Sequence, residues 1–181
     1  DVYKRQIYHV LNDSLADAVI PEKIKLIYGK EYITEEMLGL SFKISPFSFF
    51  QPNVFTAEKL YQKAFDLAEI NSTMNVLDLY SGTGTITQLM ATVANTATGI
   101  EIVEEAVDKA RENAKLNDLN NVNFLCGDVL EEIEKVGDKY DVVILDPPRA
   151  GISPASLDKI LNIDCKKFVY ISCNPKSQMD N

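Results

Sequence analysis

Residues Asn75 to Thr87, Asn75-Val76-Leu77-Asp78-Leu79-Tyr80-Ser81-Gly82-Thr83-Gly84-Thr85-Ile86-Thr87, decide how the rest of this chain is read. Val76 to Tyr80 is a short apolar run interrupted by one acid, the pattern of a strand buried on both faces of a parallel sheet. It leads directly into Ser81-Gly82-Thr83-Gly84, where two glycines permit a tight turn and let a ligand approach the main chain closely. Thr85 to Met90 then reads as the first turns of a helix, whose unpaired amide groups point back over that turn. Strand, glycine turn and helix together predict a nucleotide-type pocket.

The residues flanking the glycines narrow the ligand. A dinucleotide fold places a third glycine where the helix packs on the strand and keeps acids away from the turn. Here Asp78 precedes the turn and Ile86 and Thr87 follow it, so a pyrophosphate would meet a carboxylate. A cationic ligand suits the site better, and S-adenosylmethionine carries an ammonium and a sulfonium but no phosphate. Taken alone, Gly-x-Gly is equally an ordinary strand-to-helix turn. The spacing of the next acid adds weight: Glu101 ends the run Ala97-Thr98-Gly99-Ile100, about where a ribose-binding carboxylate belongs, roughly 20 residues on.

Downstream of the turn the chain alternates. Helices are expected over Glu104 to Leu116, Val129 to Val136 and Pro154 to Leu161, and strands over Val122 to Leu125, Tyr140 to Leu145 and Lys167 to Ser172. Repeated strand-helix units of this length specify an α/β fold with a parallel, doubly wound sheet, here of five strands. No helix or strand is read beyond Cys173. Upstream, Asn53 is the expected N-cap of a helix running to about Glu69. Before it, residues 1–46 read as a small β-rich segment: a hairpin from Ile7 to Val19 around Asn12-Asp13-Ser14, a strand at Ile24 to Tyr28 and another at Leu40 to Ile44. The segment Phe47-Ser48-Phe49-Phe50-Gln51-Pro52-Asn53 holds too much apolar surface for a free linker, so its aromatics fill a junction or line a pocket.

Composition sets outer bounds. At 181 residues the chain accommodates one full domain, or one domain and a fragment, and its 46% apolar content supports a core. No apolar run approaches the roughly 20 residues that cross a bilayer, and the polar start has no secretory pattern. Cys126, Cys165 and Cys173 are too scattered for a disulfide framework or a metal cluster, so a cytoplasmic setting without membrane or metal is expected. His9, the one histidine, falls in an expected strand and is given no chemistry. The net charge of -9 conflicts with nucleic-acid binding, where neutralising phosphate needs basic surface. Either the substrate is not nucleic acid or the basic surface lies on other parts of the protein.

Ligands of open α/β sheets bind beyond the carboxyl ends of the strands. Those ends carry Asp78 with the glycine turn, Glu101, Cys126-Gly127-Asp128, Asp146-Pro147-Pro148-Arg149 and Ser172-Cys173-Asn174-Pro175. Single members have structural explanations, such as Asp128 as a helix cap or Asp146-Pro147-Pro148 as a strand-ending turn, but five along one edge indicate a site. The two prolines hold Asp146 on a stiff turn suited to hydrogen bonding a flat polar base edge. A cysteine ending a core strand is more often inert packing. At this edge Cys173 is a candidate nucleophile instead, its thiolate favoured by the local field.

Phe49-Phe50-Gln51-Pro52-Asn53, Asp78 to Ile86, Gly99-Ile100-Glu101, Asp146 to Gly151 and Tyr170 to Pro175 together resemble the RNA uracil-5 methyltransferase family, which makes 5-methyluridine in transfer and ribosomal RNA. The similarity spans roughly residues 24 to 176, and Ser172-Cys173-Asn174-Pro175 after Asp146-Pro147-Pro148-Arg149 is specific in combination. The resemblance implies a Rossmann-like methyltransferase domain over residues 47–181, with residues 1–46 the remainder of a central domain. It implies that Cys173 adds to carbon 6 of uracil and so makes carbon 5 nucleophilic toward the methyl group of S-adenosylmethionine. Cofactor contacts are implied for Gln51, Tyr80, Gly82, Gly84, Thr85, Glu101, Asp128 and Asp146. Substrate contacts are implied for Phe49, Gln51, Asp146 and Asn174, with an aromatic stacking on a flipped base.

Family members continue past the cysteine motif with a glutamate that removes the carbon 5 proton, and many carry an N-terminal RNA-binding barrel or an iron-sulfur site. The expectation is therefore an internal piece of a longer, monomeric enzyme that binds cofactor weakly and does not turn over alone, the missing parts explaining the acidic balance. Ribosomal RNA is the expected target rather than transfer RNA, on general similarity to members with this form of the glycine turn. Two other functions fit part of the pattern: an amino-group methyltransferase with Cys173 inert, and a non-catalytic cofactor-binding module.

Overall fold

The structure, a computed structural model, describes residues 5–13, 22–136 and 140–181. It opens with two antiparallel strand pairs, β1 (Gln6–Leu11) with β2 (Lys23–Gly29) and β3 (Ile33–Met37) with β4 (Leu40–Ile44). The hairpin expected over residues 7–19 is corrected: Ile7 lies opposite Tyr28, so β1 pairs with β2, and the arm expected at residues 14–19 falls outside the described residues. β3 has no counterpart in the sequence reading. Its centre, Thr34-Glu35-Glu36, is polar, and its turn, Leu38-Gly39, lacks the Asn-Gly or Asp-Gly that marks a two-residue hairpin. Both turn residues nonetheless take the positive φ such a turn requires, 46° and 84°.

Five parallel strands form the sheet: β5 (Asn75–Leu79), β6 (Thr96–Glu101), β7 (Val122–Cys126), β8 (Val142–Leu145) and β9 (Lys167–Tyr170), in the order β7-β6-β5-β8-β9. The chain winds outward from β5 to β7, returns to the far side of β5 and continues to β9. The direction therefore reverses between β5 and β8, where open α/β sheets bind ligands. Alternate residues of the central strands serve two cores. Val76, Val142 and Ile144 face α1 (Val54–Ala68), α2 (Thr85–Ala91) and the β3–β4 pair, while Leu77, Leu79, Val143 and Leu145 face α4 (Val129–Val136) and α5 (Pro154–Leu161). Both faces are apolar, so the strands read as apolar runs, broken in β5 only by Asp78.

The long helices begin and end where their caps dictate. Asn53 accepts a hydrogen bond from the Thr56 amide at 3.1 Å, and α1 stops at Glu69, which turns left-handed with φ 54°. α3 (Glu104–Leu116) carries Glu104 and Glu105 in its first turn and Lys115 in its last, both favourable to its dipole. Beyond Cys173, where no element is read from the sequence, the chain forms a further helix, α6 (Pro175–Asp180), with Pro175 in its first turn and Asn174 as its cap.

Two asparagines, Asn113 on α3 and Asn117 at its C-cap, hold the β3–β4 pair against the sheet domain. The Ser41 and Lys43 amides donate to Asn117 Oδ1 and Asn113 Oδ1, each at 2.9 Å, and the two side-chain amides donate back to the carbonyls of Ser41 at 3.0 Å and Lys43 at 3.3 Å. Helical spacing of four residues thus matches alternate residues of a strand edge. This contact fixes one end of the segment from Ser45 to Asn53, and the α1 cap fixes the other.

Candidate functional site

A cleft of about 550 Å³ opens where β5 and β8 end. Its lining unites five separate pieces of chain: the segment Phe49-Phe50-Gln51-Pro52, Tyr61 on α1, the turn after β5, and the ends of β8 and β9. Of the residues singled out from sequence, Phe49, Gln51, Tyr80, Gly82, Thr85, Asp146 and Cys173 all line it. Glu101 lines an adjoining hollow of about 250 Å³, which shares Phe49, Gly82 and Thr83 with the cleft. Gly84, Asp128 and Asn174 are in neither lining.

The glycine turn is built from backbone that few side chains tolerate. Tyr80, Gly82 and Gly84 have φ of 68°, 53° and 73°. For a bulky residue such as Tyr80 this is a strained conformation, of a kind that concentrates at functional sites. The two glycines do different work. A Cβ on Gly82 would meet nothing within 4 Å, so that position is open to the cleft. A Cβ on Gly84 would lie 2.5 Å from the Phe124 ring and 2.8 Å from Ala110, so Gly84 allows the turn to pack on α3 and β7. Glu101 ties the turn down, its two oxygens accepting from the Gly82 and Val103 amides, each at 2.9 Å.

Beneath the turn, Asp78 is fully buried and accepts from Thr87 Oγ1 at 2.5 Å through one oxygen. Its other oxygen and the Ser81 hydroxyl are buried with no hydrogen-bond partner. Burial pushes Asp78 up to about 7, the Thr87 bond opposes the shift, and the negative charge of Asp146 adds to it. Burial likewise pushes Asp146 up to about 6. Such paired, displaced carboxyl groups in a cleft are characteristic of functional sites.

The Cys173 turn is fastened to the Asp146 turn. The Ser172 hydroxyl accepts from the Asn174 amide and donates to the Asn174 carbonyl, both at 3.0 Å, which brackets Cys173 between them. The Asn174 side chain donates to the Arg149 carbonyl at 3.3 Å and caps α6 by accepting from the Lys176 amide at 3.2 Å. Asn174 is thus a brace between the two turns. Cys173 is exposed. Asp128 accepts from the Leu130 amide at 2.8 Å as the cap of α4, and its charge raises the Tyr80 phenol, after the larger effect of burial.

The aromatics of the strap divide. Phe50 packs into the core, its ring 5.6 Å from that of Phe42, whereas Phe49 is 71% exposed at the cleft mouth. Sequence reasoning misses Tyr61, Ser81 and Thr83 among the lining residues. Tyr61 sits on the apolar stripe of α1 and reads as core. The only available signal is that this helix directly follows Gln51-Pro52. Among the described residues no group of three His, Cys, Asp or Glu side chains could hold a metal ion, and no helix is long and apolar enough to cross a membrane.

Comparison with known proteins follows the same lines. Residues 70–181 match the family described as a methyltransferase domain. An uncharacterized RNA methyltransferase of Clostridium tetani is 50% identical over 97% of this chain, and the chain spans 38% of that relative's length. The crystal structure of Pyrococcus abyssi tRNA (uracil-54, C5)-methyltransferase in complex with S-adenosyl-L-homocysteine superposes with a TM-score of 0.78 at 30% identity, over 97% of this chain and 43% of that one. M. jannaschii TYW2 in complex with AdoMet is 26% identical with a TM-score of 0.59, over 79% of this chain and 63% of its own.

Proposed function

The chain belongs to the methyltransferase-domain family, and from that premise we propose that it forms the cofactor-binding and nucleophile-bearing part of an S-adenosylmethionine-dependent enzyme that methylates carbon 5 of a uridine in RNA. The observation that carries this reading is that Cys173, Asp146, Gln51 and Gly82 line one cleft. An amino-group methyltransferase has no use for a thiol there.

The residues fit the methyl donor. Gly82 leaves room for a ligand against the main chain, the described residues of the lining include no lysine or arginine of the kind a phosphate calls for, and the carboxyl groups of Asp146 and, in the adjoining hollow, Glu101 suit a cation. Gln51, Tyr80, Gly82, Thr85, Glu101 and Asp146 would hold it, with Gly84 and Asp128 supporting the walls. When bound, S-adenosylmethionine supplies an electrophilic methyl group. The chain's own part is to make a poor carbon nucleophile reactive: the Cys173 sulfur adds to carbon 6, and the electron pair of the 5,6 double bond moves into an enolate. Asp146 and Gln51 orient the ring, and Phe49 stacks on the RNA. Asn174 acts through the Cys173 turn.

The base that removes the carbon 5 proton, the RNA-binding surface and turnover itself are assigned to the greater length of the relatives, with residues 1–46 part of a central domain and the chain alone inactive. Ribosomal RNA is the proposed target, supported by the form of the glycine turn. The test is covalent trapping by the full-length protein of 5-fluorouridine-containing RNA, with ribosomal and transfer RNA transcripts as separate arms. A gel-stable adduct lost in Cys173→Ala is expected. Methylation that survives Cys173→Ala would sink the mechanism, and an adduct confined to transfer RNA would reverse the choice of target.

A further inference from the structure

Tyr61 lines the cleft but has no part in the chemistry above. Its ring is packed into the core that α1 shares with the sheet and is 3% exposed, so its position is fixed. Its neighbours are the groups assigned to the ring. Burial, then the charge of Asp146 and more weakly that of Asp78, push the phenol up to about 12, and the Gln51 side chain offsets part of the rise. The hydroxyl therefore keeps its proton throughout the working range and is a neutral donor.

The cleft needs such a donor. Addition of the Cys173 sulfur forms one S–C6 bond and moves the π pair of the 5,6 double bond toward the ring carbonyl at carbon 4. Cys173 reacts as its thiolate, so no proton moves in this step and the negative charge of the sulfur passes to the enolate. No Lys, Arg or His is among the described residues lining the cleft, so no cation of that lining meets the charge, while the Asp146 carboxyl opposes it. Preorganised neutral donors are the remaining means, and they serve best where water is excluded. Tyr80 is the other phenol in the lining, but it is raised by burial and then by Asp128 and Tyr170, with no part played by Gln51 or Asp146. We propose that Tyr61 is a catalytic residue, its hydroxyl donating a hydrogen bond to the ring carbonyl oxygen on which charge collects as Cys173 adds. This rests on the uridine reading of the cleft.

The test uses the full-length protein without methyl donor and follows exchange of the carbon 5 hydrogen for deuterium, which requires addition of Cys173, deuteration of the enolate at carbon 5, loss of the original hydrogen to the base and elimination of Cys173, but no methyl transfer. Tyr61→Phe keeps the ring and should lower the exchange rate by about a hundredfold, with RNA affinity and melting temperature close to those of the parent. Replacing the target with 4-thiouridine, a weaker acceptor, should slow the parent and add little to Tyr61→Phe. If the parent exchanges and Tyr61→Phe matches it, or if 4-thiouridine slows both equally, the assignment of Tyr61 is overturned and the uridine reading stands. A parent that neither exchanges nor forms the 5-fluorouridine adduct overturns the uridine reading itself. If Tyr61→Phe melts early, the 4-thiouridine effect on the parent alone decides: an unchanged rate overturns the hydrogen bond.

Discussion

Asn113 on α3 and Lys43 on β4 exchange two hydrogen bonds, the Lys43 amide donating at 2.9 Å and the Asn113 amide returning to the Lys43 carbonyl at 3.3 Å. A helix side chain thus takes the place that a neighbouring strand would fill along the outer edge of β4.

Removal of that side chain leaves a backbone donor and acceptor facing an almost dry interface, since Asn113 is 1% exposed. Asn113→Ala should destabilise by about 1–3 kcal/mol. Asn117→Ala, at a site water reaches more easily, should cost less. Urea unfolding of the two variants, with midpoints and slopes compared, checks the order. Equal losses would mean that the clamp is not graded by burial.

The two turn glycines should separate cleanly. Gly84→Ala combines a left-handed φ with a clash against Phe124 and Ala110, and should destabilise by about 2–4 kcal/mol. Gly82→Ala meets open space, so only the backbone term of about 1–2 kcal/mol applies. Its larger effect should be on S-adenosylmethionine affinity, because the new methyl points where ligand would lie. Calorimetric binding beside thermal melts distinguishes them, and a Gly82→Ala protein that binds like the parent refutes the assignment of that space to ligand.

Glu101 accepts two backbone amides, and an amide side chain can accept only one of them without turning its own N–H groups on the other. Glu101→Gln should therefore loosen the Gly82 turn and weaken S-adenosylmethionine binding by at least about tenfold, one lost bond to a charged group. Titration calorimetry gives the answer. Retention of full affinity would show the turn to be held by other contacts.

Asp78 makes stability fall as pH rises. Its folded pKa, about 7, lies above the ordinary value of 3.8, so the native state binds the proton more tightly than the unfolded chain between those limits. Unfolding free energy then declines from about pH 4 to 7, with a slope of at most about 1.4 kcal/mol per pH unit from this group, and flattens above it. Asp146, raised to about 6, acts in the same sense over a narrower window. Asp141, held low chiefly by its Lys166 bond and also by the Asn75 amide, acts in the opposite sense only below the ordinary carboxylate range. Asp78→Asn should flatten the profile between pH 4 and 7. Denaturant midpoints across that range test it, and a parent stability that climbs with pH contradicts it.

Much of this was legible because local signals and tertiary demands agree. α3, α4 and α5 occur over the expected residues, Asn53 caps α1, and the five strands appear in the expected runs, since each has a clear period or cap. What escaped did so for identifiable reasons. β3 is polar because its partner strand and α1 supply the burial, and α6 is short and polar, held by a proline start and the Asn174 cap. Tyr61 was hidden by its own stripe, where a phenol reaching a cleft has the same spacing as one filling a core. The packing demand at Gly84 was not legible, because sequence cannot tell a glycine needed for space toward a ligand from one needed for space toward a neighbouring ring. The clamp of Asn113 and Asn117 needed coordinates, as nothing local couples residues 70 or more positions apart.

The segment from Ser45 to Asn53 and the helix it enters have a bearing on how such enzymes diversify. Residues 70–181, the recognised domain, hold the turn, Glu101, Asp146 and Cys173, whereas Phe49, Gln51 and Tyr61 all precede it. The lining of the cleft is therefore divided between two stretches of polypeptide, only one of which lies in the recognised domain. A graft that exchanges residues 45–69 between homologues would replace Phe49, Gln51 and Tyr61 together and leave the glycine turn, Asp146 and Cys173 as they are.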